Sequence, residues 1–256
     1  ISSTLLLQGS SAGPNETSQV LTVTAATVTT PNAGSASVVG GNVVYTPAAD
    51  FNGRAEIRFT VTDNGTTNGA SAPQTATATV TVNVQAANDA PIAAADSAET
   101  AEGISLTIAI STLLTNDRPG PSTALDESTQ TLSITGVSMV NNAAGQVTIS
   151  GSNVIYTPSQ FYNSPASGPA LIDYTLSDGS GGTATGRLSV NVTEVNQAPV
   201  PVNATRDAFA SVSQDLNLSS ALQAASRGAP NEASQTLRIS RVIPTANTRG
   251  SVSLNN

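Results

Sequence analysis

The chain has 256 residues, a formal net charge of −8 and only 10% charged residues, and it contains no Cys, no His, no Trp and no Lys. Those absences remove disulfides, thiolate and imidazole catalysis, Cys- or His-ligated zinc and any Lys–Asn crosslink. The negative charge argues against a nucleic-acid partner, because phosphate is repelled rather than neutralised. Oxygen remains as the metal-binding chemistry, which suits calcium or magnesium.

Hydrophobic residues make up 38% of the chain and alternate in short runs, a pattern of folded strands rather than disorder. No apolar run reaches membrane-spanning length, and the opening ISSTLLLQ has no basic region of a signal peptide. A start without Met reads as a processed chain or an excised fragment.

In chain order, SSTLLLQ (2–8) reads as a Ser-capped helical turn, and PNETSQVLTVT (14–24), GGNVVYTP (40–47) and FTVTD (59–63) each end in a strand. The same phrases then return. LDESTQTLSIT (125–135) and PNEASQTLRIS (230–240) repeat the first strand phrase, placing Glu16, Glu127 and Glu232 at matched positions. GSNVIYTP (151–158) repeats the second, Tyr45 to Tyr156 being 111 residues (156 − 45), and YTLSD (174–178) repeats the third. Asn88-x-Ala90-Pro91 and Asn196-x-Ala198-Pro199 lie 108 apart (196 − 88). Proline fixes chain direction there, so each reads as a short extended linker. A period near 110 residues marks a tandem array. It divides the chain into 1–87, lacking its first strands, a complete repeat over 88–195, and 196–256, truncated at its C-terminal end.

In the second repeat, strands are expected at 104–111, 131–139, 146–150, 153–158, 170–178 and 183–195, with one more before Ile104 and a helical turn at 111–117. Six or seven short strands at this spacing give an all-β, Ig-like sandwich.

The run TVTDNGTTNGASAPQTATATVTVNVQAANDAP (60–91), echoed by TLSDGSGGTATGRLSVNVTEVNQAP (175–199), resembles the end of a cadherin repeat. With its LLTND turn, YTP strand and FNG loop, the whole chain resembles the cadherin-like, Ig-like tandem repeats of large bacterial surface adhesins. The resemblance implies Greek-key β-sandwiches joined by Pro-containing linkers, an extracellular, cell-surface location in a bacterium, and Ca2+ at the junctions between repeats. Carried over by position, the junction of repeats 1 and 2 would draw its metal ligands from Asp50, Asn88, Asp89, Asn116, Asp117 and Asp178, while Glu102 would face the next junction. At that next junction Asp89 becomes Gln197, Asp50 aligns with Phe161, and Asn116-Asp117 become Ala225-Ser226, so most negative ligands are gone.

Plainer roles stand beside these. Asp63 and Asp178 precede Gly-rich turns, where Asp bonds its own backbone. Glu16, Glu127 and Glu232 are expected to make an architectural hydrogen bond. No enzyme is expected: Asp126 and Glu127 are adjacent rather than facing across a cleft, and aromatic platforms are scarce at 3%. The expected function is a rod-like adhesin spacer whose partners are neighbouring repeats of the same or an adjacent chain. Two alternatives remain. Half-repeats at both ends suit head-to-tail strand complementation into a surface filament. The loops 62–73 and 161–170 are the places for a ligand- or glycan-binding module.

Overall fold

The computed structural model describes the whole chain except residues 15, 210, 211, 244, 246–250, 255 and 256. It divides into two compact units: Ile1–Ala94 with Leu114–Thr135 and Thr175–Thr185, and Ala95–Leu113 with Gly136–Tyr174 and Gly186–Asn256.

Unit one begins with the single helical turn α1 (Ser3–Leu6), whose cap is the Ser2 hydroxyl accepting the Leu5 amide. Strands β1 (Thr22–Val28), β2 (Gly34–Val39), β3 (Asn42–Pro47) and β4 (Gly53–Thr62) follow. A two-residue-stranded hairpin, β5 (Thr66–Thr67) and β6 (Ala70–Ser71), precedes the long β7 (Thr75–Val84). One sheet has the antiparallel order β1-β4-β7, with a register shift between Val23 and Ala25, and β2 pairs with β3 in another. Alternation along β4 turns Ala55, Ile57 and Phe59 inward, and Ile57 and Phe59 meet Val23 and Val43 in the core.

Unit two holds β8 (Ala95–Ala101), β9 (Leu106–Ala109) and the turn α2 (Ile110–Leu113). It also holds β11 (Gly145–Ser150), β12 (Asn153–Pro158), the turn α3 (Ser164–Ser167) and the greater part of β10 (Ser133–Met139), β13 (Ala170–Ser177) and β14 (Thr183–Thr193). The sheets are β10-β13-β14-β8, with β8 parallel to β14, and β11-β12-β9. Val154, Tyr156, Ile172, Tyr174, Leu188, Val190 and Val192 are buried. All seven strands expected of the second repeat form, and the expected 104–111 strand yields to α2 at Ile110.

The YTP phrase recurs because it locks each sandwich in the same way. Tyr45 Oη donates to the Ala33 carbonyl at 2.5 Å and Tyr156 Oη to the Ala144 carbonyl at 2.7 Å, both twelve residues back. Burial, with Tyr162 nearby, pushes the Tyr156 phenol up to about 12, so it stays a donor at neutral pH. The next residue is glycine in both repeats, Gly34 and Gly145; a Cβ there would stand 2.1 and 2.2 Å from the Thr46 and Thr157 carbonyl oxygens.

The third repeat differs from expectation. Its described residues form the turn α4 (Ser219–Ala224) and a 3-10 turn at Pro230–Glu232, but TLRIS (236–240) lies in no strand. A strand is stable only against a partner, and the described residues offer this one none.

Candidate functional site: the clasped linkers

The turn carrying the recurrent glutamate is the same three times. Gln19, Gln130 and Gln235 each donate a backbone N–H to the carbonyl of the glutamate three residues earlier, at 3.0, 3.0 and 2.9 Å from Glu16, Glu127 and Glu232. Asn15, beside the first of these, lies outside the described residues. Glu127 is 2% exposed and Glu232 1% exposed, positions where a carboxylate persists only if hydrogen-bonded.

The linkers supply that bond. At the first, the Asp89 backbone N–H donates to Glu127 Oε1 at 3.1 Å. At the second, the Gln197 backbone N–H donates to Glu232 Oε1 at 2.5 Å, and Ala229 N–H donates to Oε2 at 3.1 Å. The glutamine of each turn adds a second bond: Gln130 Nε2 donates to Asn88 Oδ1 at 2.7 Å, and Gln235 Nε2 to Asn196 Oδ1 at 2.9 Å. Gly120 and Gly228 leave room for the carboxylates, since a Cβ would meet Glu127 Cγ at 2.8 Å and Glu232 Oε2 at 2.5 Å. A short antiparallel bridge then ties each linker's exit, Ile92 to Arg118 and Val200 to Ser226.

The first linker is held further. Asn88 Nδ2 donates to Asp178 Oδ2 at 3.0 Å, while Asp178 Oδ1 accepts from Ser180 and Gly182 N–H at 2.7 and 3.0 Å. Burial pushes the Asp178 carboxyl up, but these donors together outweigh it and hold its pKa below the ordinary value. Asp117 is buried and accepts Ala94 N–H at 2.8 Å. Asp50, at φ +57, accepts the Thr123 hydroxyl at 2.5 Å.

Of the seven expected metal ligands, Asp50, Asn88, Asp89, Asn116, Asp117 and Asp178 fall in unit one and Glu102 in unit two. Among the described residues, no three acidic side chains cluster as a ready metal site. Asp117 and Asp178 spend oxygens on N–H donors instead. Four buried oxygens beside the linkers nevertheless have no hydrogen-bond partner: Glu127 Oε2 and Gln130 Oε1 in unit one, Glu102 Oε1 and Asn231 Oδ1 in unit two. Glu102 is 6% exposed, and Asn231 Nδ2 reaches Glu194 Oε1 at 3.2 Å and Glu102 Oε2 at 3.5 Å. Orphaned oxygens of this kind fit a hard cation, which takes carboxylate and amide oxygens together. Gln130, Gln235 and Thr123 were not singled out from sequence. For the two glutamines the signal was the shared recurrence of Glu-x-x-Gln and Asn-x-Ala-Pro; Thr123 belongs to neither phrase.

The two loops considered for ligand binding are internally bonded. Asp63 Oδ1 accepts from Gly65 and Gln74 N–H at 2.9 Å each, closing the β5–β6 hairpin. In 161–170, buried Asn163 caps α3 through Ala166 N–H, and Tyr162 Oη donates to the Gly168 carbonyl at 2.9 Å.

Residues 1–83 match the model of the cadherin-like domain, and residues 88–191 match that of the bacterial Ig domain. Residues 1–191 are a tandem of a cadherin-like and an Ig-like repeat. Modules of these kinds are extracellular, non-enzymatic and of the adhesion type. Among solved structures, human mucin-like protocadherin EC1-2 is similar at 17% identity, covering 69% of this chain and 85% of that one, with a TM-score of 0.33. Human CDH23 EC21-23 is similar at 14% identity over 72% of this chain and 66% of that one, TM-score 0.37. The human desmocollin-1 ectodomain, at 14% identity and TM-score 0.35, is covered over only 36% of its length by 74% of this chain. No curated protein matches the chain. Among the described residues, no helix is long and apolar enough to cross a membrane.

Proposed function

We propose that this chain is the structural repeat region of a cell-surface adhesin, a rod-like spacer that carries other parts of the protein away from the surface. The observation that carries it is the repeated clasp: two linkers of different sequence are each pinned, by a backbone N–H, to a buried glutamate of the repeat that follows. Contacts between domains of one chain are small and mobile by default, so a device that fixes the linker serves extension. The test is small-angle scattering of the whole chain beside E127A and E232A. The spacer reading expects both variants to lose the wild-type's extended profile; unchanged profiles would remove the clasp as a stiffening element.

Calcium stiffening is supported by the orphaned oxygens. At the first linker Asp89, Glu127 and Gln130 are the residues that would hold it, and at the second Glu102, Glu194 and Asn231. The ion would supply a charge that fixes these oxygens in place. A calcium-dependent rise in melting temperature, reversed by chelator, is the expected result. A melt indifferent to both defeats this part alone.

The filament reading, head-to-tail assembly by strand complementation, is supported by one edge. Among the described residues, strand β7 stands at the border of its sheet and presents ten residues without charge or proline. Solvent-facing edges are normally blunted by such residues.

A further inference from the structure

We infer that Ser164 is a tension brace: its hydroxyl holds the exit end of β14 in place, so that a pull on the linkers reaches the parallel β8–β14 pair as shear. This rests on the spacer reading, in which the chain carries load, and names the residues that bear it.

The load path follows from strand direction. The chain enters β8 at Ala95 and leaves β14 at Thr193, and in the parallel pairing Arg187 lies opposite Ala95 and Thr193 opposite Ala101. A pull on the two linkers therefore drags these neighbours past each other, in opposite directions along one axis. All seven pairs resist together, whereas a sideways pull at one end breaks them one at a time. The ladder runs one bond further, Glu102 N–H donating to the Thr193 carbonyl at 2.9 Å. Resistance of this kind sets a rate of unfolding under force rather than an equilibrium. It lasts only while the exit end of β14 stays in its sheet.

At that end the two repeats differ. Tyr45 to Phe59 is 14 residues (59 − 45) and Tyr156 to Tyr174 is 18 (174 − 156), so the second repeat carries four more between matched positions. In the first repeat Gly53, eight residues after Tyr45, pairs with Val84, four before Asn88. The residues at the matching places are Ser164 and Val192. Ser164 lies outside β13, which starts only at Ala170, because the chain turns off there as α3. Its side chain keeps the contact instead: Val192, fully buried, donates its N–H to Ser164 Oγ at 2.7 Å. The acceptor is itself fixed, since the Ser164 carbonyl takes Gly168 N–H at 2.8 Å and the Asn163 cap closes the turn in front of it. Without that hydroxyl a buried amide of the last strand loses its partner, and the strand end has less to hold it.

The absence of cysteine lets pulling handles be placed at chosen points. In single-molecule force spectroscopy, handles on A87C and V195C pull as the rod is pulled, while handles on I104C and V195C peel β8 from β14 at one end; all three positions are exposed. The expected result is an unfolding force several times higher for the first pair of handles. S164A should lower that force towards the peeling value, S164T should restore it, and neither should move the peeling force. If S164A weakens both directions alike, or neither, the brace is overturned. Equal forces for the two pairs of handles, with Ser164 in place, overturn the shear path as well. The spacer reading is judged apart from all of these, by the scattering profile of the whole chain.

Discussion

The Glu127 carboxylate accepts the backbone N–H of Asp89 from 38 residues away, and it does so from a site that is almost sealed from water. Because the bond uses main chain, the identity of residue 89 is secondary and that of residue 127 is not. E127A leaves the Asp89 N–H without its partner, a loss of about 1–3 kcal/mol. E127Q keeps one oxygen acceptor and should fall nearer the bottom of that range. Urea unfolding gives both values, and hydrogen exchange at the Asp89 amide should quicken in E127A ahead of the rest of the second repeat.

The tyrosine of the YTP strand makes a second matched test. Tyr156 is 1% exposed and its hydroxyl is the donor to the Ala144 carbonyl. Y156F removes that bond but leaves the carbonyl its second donor, the Ser159 N–H at 3.0 Å, so it should cost about 0.5–1.5 kcal/mol. G145A forces a Cβ to within 2.2 Å of the Thr157 carbonyl oxygen at a φ of +146°, so it should cost at least as much as strained backbone does, about 1–3 kcal/mol. Thermal melts rank the two, and a wild-type melt for G145A would contradict the packing described.

Acid stability should bear the mark of two carboxylates. The Arg187 hydrogen bond lowers the Asp173 pKa, while the donors around Asp178 outweigh its burial. Each folded-state pKa lies below the ordinary 3.8, so the stability from each is complete above that value and drains away as pH falls through the folded one. D178N and D173N should therefore flatten the acid limb of a stability–pH profile taken from neutral pH downward. Profiles parallel to the wild-type's would show that neither group is anchored in the folded chain.

Much of this was legible in the residues because repetition fixes phase. Tyr45 with Tyr156 and Glu127 with Glu232 recur at matched positions, and alternation along VIYTP and LIDYTLS marks which side chains are buried. The partners of the joints were harder to read. Asp178 and Asp117 look like cation ligands by type, yet their oxygens face N–H donors, because composition cannot say whether a carboxylate meets a metal or an amide. The clasp also uses the backbone of residue 89, and a backbone donor leaves no residue type behind to recognise. TLRIS (236–240) shows the same limit: its pattern is that of β1 and β10, but pattern without a partner strand makes no ladder.

Asp89 and Gln197 separate the clasp from calcium. Both donate a backbone N–H, which alanine preserves, so in chelator D89A and Q197A should each stay within about 0.5 kcal/mol of wild type, as surface substitutions do. With calcium present the two should part. Asp89 carries a carboxylate on the residue whose N–H meets Glu127, whereas Gln197 carries only an amide, and carboxylate number governs calcium affinity. D89A should then lose the calcium-dependent gain at the first linker while Q197A keeps it, read as the shift in melting temperature between calcium and chelator. D89A and wild type shifting alike would take the carboxylate out of any metal site there, and a large loss for D89A in chelator would mean that its side chain, not its amide, holds the linker.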